Sequence, residues 1–236
     1  MTAQRAISGA LALVLAVVAV AVLAPATSTP RPTEQASTTT KPSEVRDPPP
    51  RKVVPSRRFE SIRWRRSRSV GLPWRGRLVD GVLLPAAGAR FFTWDPVLRR
   101  APNRPWRRVG SDRLVRTLMR VLADFSAAHP QAPRIGIGDL SRPRGGDFGV
   151  RYGLPGHASH QNGLDADLYY PRLDRRERPP RTVAQIDRPL AQDLVDRFVR
   201  AGATYVFVGP STGLVGPRKI VQRLAHHDNH LHVRLR

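Results

Sequence analysis

From Leu114 onward the apolar positions recur at helical spacing, with Leu114, Val115, Leu118, Met119, Leu122 and Phe125 on one stripe. Ser111 stands where an N-cap belongs and Asp112 falls in the first turn. A helix is therefore predicted over 111–128, ending before His129-Pro130 because the residue ahead of a proline avoids the α region. A second helix is predicted over 189–200. Pro189 starts it, Leu190, Leu194, Val195 and Phe198 are its buried stripe, and Gly202 ends it. Elsewhere the period is two. Arg134–Leu140 carries Ile135 and Ile137 on one face, and Thr204–Val208 reads as a buried strand. Over Gly163–Tyr170, Leu164, Ala166 and Leu168 face inward while Asp165, Asp167 and Tyr169 point the other way. Near the end of the sequence Leu231, Val233 and Leu235 form an inward stripe, and His230, His232 and Arg234 project opposite. The stretch SRPRGGDFG, 141–149, is loop by its proline and glycine content. These elements describe one α+β domain over 58–236, a small antiparallel sheet flanked by helices, with no internal repeat.

The N-terminal quarter follows none of these periods. Residues 1–26 have the form of an export signal: Arg5 in the positive region, an unbroken Ala, Leu and Val run from Ala10 to Leu23, then Ala24-Pro25-Ala26 as a small-residue cleavage pattern. The rival is an uncleaved membrane anchor, since Ala6–Ala24 approaches the length of a span. Either way the rest is expected outside the cytoplasm, in cell wall, periplasm or medium, with membrane contact only through this segment. Residues 27–57 are Pro, Thr, Ser and charge, a composition too poor in apolar residues to fold, and are expected to be a disordered spacer. The chain carries a formal net charge of +22, almost all arginine, which attracts polyanions such as anionic cell-wall polymers. Over 58–77 the arginines alternate with Phe59, Trp64 and Trp74. That pattern fits either stacking on sugars or bases, or a solvated basic face whose tryptophans are buried. Nucleic acid is disfavoured as a partner because an export signal would remove the protein from it. The absence of cysteine excludes a disulfide framework and any thiolate metal site.

Histidine changes the picture most. Of seven histidines, six fall in two short segments, GHASHQNGLDADLYY (156–170) and HHDNHLHVRLR (226–236); only His129 stands apart. His160 and Asp167 are seven positions apart, and Gly163 can bend the intervening loop so that both reach one cation. Neutral imidazoles with a carboxylate suit a tetrahedral Zn2+, whose fourth corner in a catalytic site is left to water. Same-face residues on a strand lie about 6.5–7 Å apart, so of His230 and His232 one can ligate while the other sits beside it as a proton-transfer group. Asp165 reads as a carboxylate that orients the loop carrying His160, and His226 as a solvated surface residue.

SRPRGG, GHASHQNGLDADLYY and HHDNHLHVRLR together resemble the motifs of the penicillin-insensitive murein endopeptidases. These are zinc peptidases that share HxxxxxxD and HxH signatures with D-Ala-D-Ala carboxypeptidases. The resemblance extends from about Ser69 to the C-terminus. It implies a zinc site in a cleft on the sheet, held by His160, Asp167 and His232, with His230 as general base and His227 in support. It also implies hydrolysis of the D-alanyl-to-diaminopimelate cross-link of peptidoglycan. Some members hold a second metal through the residue matching His157 and an Asp-x-x-His pair; no such pair occurs between Tyr170 and Pro210. The carboxypeptidases place a glutamate shortly before HxH, where this chain has RLAHHDN, which favours endopeptidase over D,D-carboxypeptidase. A reading of a different class is a cell-wall or polyanion-binding module whose metal site is structural or vestigial.

Overall fold

A computed structural model describes residues 59–153 and 156–236. The expected leader or anchor at 1–26 and the spacer at 27–57 lie outside the described residues. The described chain opens with an antiparallel hairpin, β1 (Arg68–Leu72) and β2 (Arg75–Val79), turning at Pro73-Trp74. Two short strands follow, β3 (Val82–Leu83) and β4 (Phe91–Thr93), then β5 (Val109–Gly110), which pairs with β3. The remaining elements are α1 (Asp112–Ala128), β6 (Ile135–Ile137), β7 (Asp165–Tyr169), α2 (Arg188–Arg200), β8 (Tyr205–Val208), β9 (Val221–Arg223) and β10 (His230–Arg234).

Local chemistry sets the helix ends as the spacing predicts. The Ser111 hydroxyl accepts from the Leu114 amide at 3.1 Å, satisfying one of the free donors of the first turn of α1. The Asp187 carboxylate does the same for the Leu190 amide of α2 at 3.3 Å. Leu118, Leu122 and Phe125 of α1 join Leu194, Val195 and Phe198 of α2 in a single core, at about 1.5–3 kcal/mol per buried side chain. Leu190 is only partly buried, at the margin of that core.

The main sheet runs β4-β6-β7-β10-β8-β9. Its centre is antiparallel, but β4 pairs parallel with β6 and β8 parallel with β9. The expected small antiparallel sheet is thus a six-stranded mixed one. Parallel neighbours need long connections, and both have them: β5 and α1 lie between β4 and β6, and residues 209–220 lie between β8 and β9. Both helices flank the sheet on the same side. Ala166, Leu168, Val206, Val208, Leu231 and Val233 all face the same core as α1 and α2. The opposite face is left to Asp165, Asp167, Tyr169, His230 and His232.

Two expectations about apolar side chains are corrected. In β8 only Val206 and Val208 are buried; Tyr205 and Phe207 are half-exposed on the other face and stack at 5.5 Å. In the N-terminal segment Trp64 and Trp74 are 42% and 55% exposed, not buried. Trp64 lies against the Arg116 guanidinium at 4.1 Å, and Trp74 stands at the tip of the β1–β2 hairpin. A guanidinium covers one ring face and leaves the other in water.

Candidate metal centre

The pairing of β7 with β10 joins the two histidine segments. His232 lies opposite Asp167, His230 opposite Tyr169, and Arg234 opposite Asp165. Because side chains alternate, Asp167 and His232 emerge on the face away from the helices. His160 arrives from the loop before β7. Its φ is +67°, a left-handed conformation that is strained for a residue with a Cβ. Gly163 also has a positive φ, +76°, and a Cβ there would meet the Leu78 side chain at 2.8 Å and the Ser111 amide nitrogen at 3.1 Å. The loop is held in this shape by the His160 amide, which donates to Asp165 Oδ2 at 3.1 Å.

His160 is fully buried, and its Nδ1 donates to the Leu140 carbonyl, so its Nε2 carries the free lone pair. That Nε2 lies 3.4 Å from Asp167 Oδ1, and both atoms are buried without a hydrogen-bond partner. Nδ1 of His232 lies 3.2 Å from the same oxygen, while its Nε2 meets Asp165 Oδ1 at 2.9 Å. A tetrahedral ion with ligand bonds of about 2.0–2.2 Å separates its ligand atoms by about 3.3–3.6 Å. These spacings fit such an ion, and without one His160 Nε2 and Asp167 Oδ1 are two buried acceptors facing each other with no donor. His157, His160 and Asp167 likewise form a group able to hold a metal ion, their ligand atoms lying within 4.8 Å of one another. His157 is turned differently: its Nε2 meets Asp139 Oδ2 at 2.7 Å, and its Nδ1 lies 3.8 Å from Asp167 Oδ2.

The charges follow from these contacts. Burial pushes the Asp167 carboxyl up, but His160, His232 and His230 outweigh it and hold the group well below the usual carboxylate range. Burial lowers the His160 imidazole, keeping it neutral. For His232 burial is outweighed by Asp165 and Asp167, which raise it to about 9. Burial brings His230 down to about 4, and it lowers His227 as well. An ionised carboxylate and neutral imidazoles are the states a cation requires, so binding through His232 must release a proton.

The other predicted residues have distinct places. His230 Nε2 lies 3.9 Å from Asp167 Oδ1, and its Nδ1 meets Asn229 Oδ1 at 2.6 Å. The His227 ring stands 4.7 Å from that of His230, with Nδ1 donating to the Ala225 carbonyl at 2.7 Å. His226 is exposed, and His129 pairs with Asp193 at 2.8 Å, away from the cluster. A cavity of about 800 Å³ is lined by Trp74, Phe207 and Arg234 together with His157, Asp167 and His230. A smaller recess of about 250 Å³ shares His157, Asp167 and His230 and continues past Tyr169 and Asn229.

Two residues at the site carry no motif and escape a reading by spacing. Asp139, fully buried, takes the His157 ring, the Asn103 amide at 2.9 Å and Arg107 Nε at 2.7 Å. Its one signal is an acid placed directly after the apolar strand IGIG. Arg107 is 1% exposed, and nothing distinguishes it in the sequence from the many solvated arginines.

Fold and site together describe an α+β domain with a histidine–carboxylate cluster able to hold a metal ion on the face of its sheet away from α1 and α2. The family model of the penicillin-insensitive murein endopeptidases matches residues 69–203, more than half of the chain, and the chain belongs to this family. It is similar to the penicillin-insensitive murein endopeptidase of Escherichia coli O157:H7, 48% identical over 61 residues, and to that of Escherichia coli strain K12 / DH10B, 46% identical over 61 residues. Each alignment covers 26% of this chain and 19% of the relative. The match thus spans about a fifth of the length of those curated relatives, and β10 lies beyond the residues the family model covers.

Proposed function

We propose that the protein is an exported zinc metallopeptidase that cleaves peptide cross-links of peptidoglycan, at the D-alanyl-to-diaminopimelate bond. The observation that carries this reading is the convergence of His160 Nε2 and His232 Nδ1 on Asp167 Oδ1, at 3.4 and 3.2 Å, with His160 Nε2 and Asp167 Oδ1 both buried without partners. His160, Asp167 and His232 would hold the zinc in a cleft on the sheet, and His157 would be the residue available to a second ion. When bound, zinc supplies a water acidic enough to act as nucleophile near neutral pH and polarises the scissile carbonyl.

The remaining work falls to side chains of the chain itself. Asp165 aligns His232 and the His160 backbone at once, so both ligands are oriented before a cation arrives. His230 keeps its Nδ1 proton on Asn229, which leaves Nε2 free to accept a proton above Asp167. With a pKa brought to about 4 by burial, that nitrogen is unprotonated at neutral pH, the state from which it would take the proton and pass it to the leaving amine once the developing charge of the substrate raises its basicity. His227 stands behind His230 and is itself kept neutral by burial, which avoids repulsion when His230 becomes charged. Space on both sides of His157, Asp167 and His230 suits an endopeptidase, whose substrate continues past the scissile bond in both directions.

The test is direct. Purified full-length protein should contain about one zinc and convert cross-linked muropeptide dimers to monomers, with loss on chelation and recovery on adding zinc. His232→Ala should abolish cleavage; a His232→Ala protein as active as the wild type would overturn the assignment.

A further inference from the structure

A separate hollow of about 590 Å³ opens beside the metal-facing recess and is lined by three arginines, Arg99, Arg178 and Arg181. The carboxylates nearby are already engaged: Glu177 pairs with Arg134, and Asp174 with Arg172 and, at 3.8 Å, with Arg176. Arg99, Arg178 and Arg181 pair with no carboxylate among the described residues, and Arg178 Nε is buried without a hydrogen-bond partner. Three guanidinium groups around one recess repel each other, and Arg178 Nε has lost water without gaining a partner, costs that an anion placed among them would offset. Trp94, Tyr169, Asn229 and three prolines form the rest of the wall.

This hollow adjoins the candidate metal centre. Tyr169 and Asn229 line both it and the recess containing His157, Asp167 and His230. Asn229 is also the residue that fixes His230 Nδ1, and the Tyr169 ring lies 6.2 Å from that of His230. A group bound among the arginines is thereby linked, through one asparagine and one tyrosine, to the position where the leaving amine would take its proton.

We propose that this arginine-lined hollow is a carboxylate-binding subsite, which holds a free carboxylate of the peptide substrate while an amide of the same peptide lies over Asp167. The proposal rests on the reading of the protein as a peptide hydrolase. Planar guanidinium groups bind carboxylates through paired hydrogen bonds, which favours this planar acid over a bulkier anion. The confined shape favours a single acidic group over a polymer strand, which would need a groove that follows its charges along the surface.

The test uses the full-length protein dialysed free of metal, so that no carboxylate binds through an ion. Two short D-alanyl peptides, identical except that one ends in a carboxylate and the other in a carboxamide, are titrated by calorimetry. The acid should bind roughly 10- to 100-fold more tightly, the range expected for hydrogen bonds to a charged group. Arg99 and Arg181 are exposed, so Arg99→Gln and Arg181→Gln should close that gap with melting temperature and zinc capacity unchanged. Equal binding of the two peptides, a gap that survives both substitutions, or inorganic phosphate displacing the acid peptide at lower concentration than the peptide's own would overturn the subsite. Cleavage of muropeptide dimers is measured alongside. A protein that prefers the acid peptide yet cleaves nothing keeps the subsite and loses the hydrolase reading. A protein that cleaves dimers without an acid preference does the reverse.

Discussion

Two His–carboxylate–Arg chains meet at Asp167, and they are built for different purposes. On one side His157 meets Asp139, which is bound by Arg107; on the other His232 meets Asp165, which is bound by Arg234 at 2.6 Å. Both carboxylates are fully buried. Asp139 closes a buried ion pair with an arginine that is itself 1% exposed, and its histidine belongs to a loop. Asp165 lies in β7, two positions from Asp167, and holds both the His160 backbone and the His232 ring. The first chain anchors a loop to the core, with Phe148 packed against His157 at 5.0 Å. The second would order the ligand set proposed above. The same three residue types therefore serve stability on one side and preorganisation on the other, and the difference lies in which backbone carries the carboxylate.

Substitutions break this comparison in order of size. Asp167→Ala removes the centre common to both chains, and zinc measured after dialysis should fall from about one per protein to near zero, with dimer cleavage at background. Asp139→Asn strands Arg107 and should destabilise the folded protein by about 3–5 kcal/mol in urea unfolding, with zinc affinity of the folded fraction nearly unchanged. Asp165→Asn should weaken zinc by about 10- to 100-fold in competition with a chelator, because His160 and His232 lose their shared orienting partner. Equal weakening by Asp139→Asn and Asp165→Asn would erase the distinction. His157→Ala should cost less than about tenfold in zinc affinity, and a stoichiometry falling from two to one would instead assign His157 to a second ion.

The smallest effect is a control away from both chains. Burial pushes the Asp95 carboxyl up, but the Arg104 guanidinium at 2.5 Å and the Val97 and Leu98 amides outweigh it and lower it. A carboxyl lowered on folding stabilises above its unfolded value of about 4 and loses that contribution as pH falls through the folded value. Asp95→Asn should therefore make the fall of melting temperature below about pH 4 shallower, by roughly 2–4 °C. A steeper fall would mean that the pair is absent in solution.

Much of this arrangement is legible in the order of residues. Period and caps locate α1 and α2 to within a residue, and alternation separates Asp165 and Asp167 from Ala166 and Leu168 as it does His230 and His232 from Leu231 and Val233. Those are local consequences of helical and strand geometry, so nearby residues suffice to decide them. Clustered histidines also mark residues able to hold a cation, because imidazole chemistry does not depend on where the chain goes next.

Other features depend on what distant segments do. The parallel margins of the sheet, and the gathering of both helices on one face, follow from how long connections return across it. Asp139 and Arg107 acquire their role only when the β5 and β6 regions bring them beneath His157, and the unpaired state of Arg99, Arg178 and Arg181 only when Glu177 and Asp174 choose other arginines. The sequence by itself determined which residues have the chemistry of a metal site and which face of each strand they occupy. The tertiary structure alone decided that His232 stands opposite Asp167, since strand register is a non-local pairing of hydrogen bonds that neither strand carries within itself.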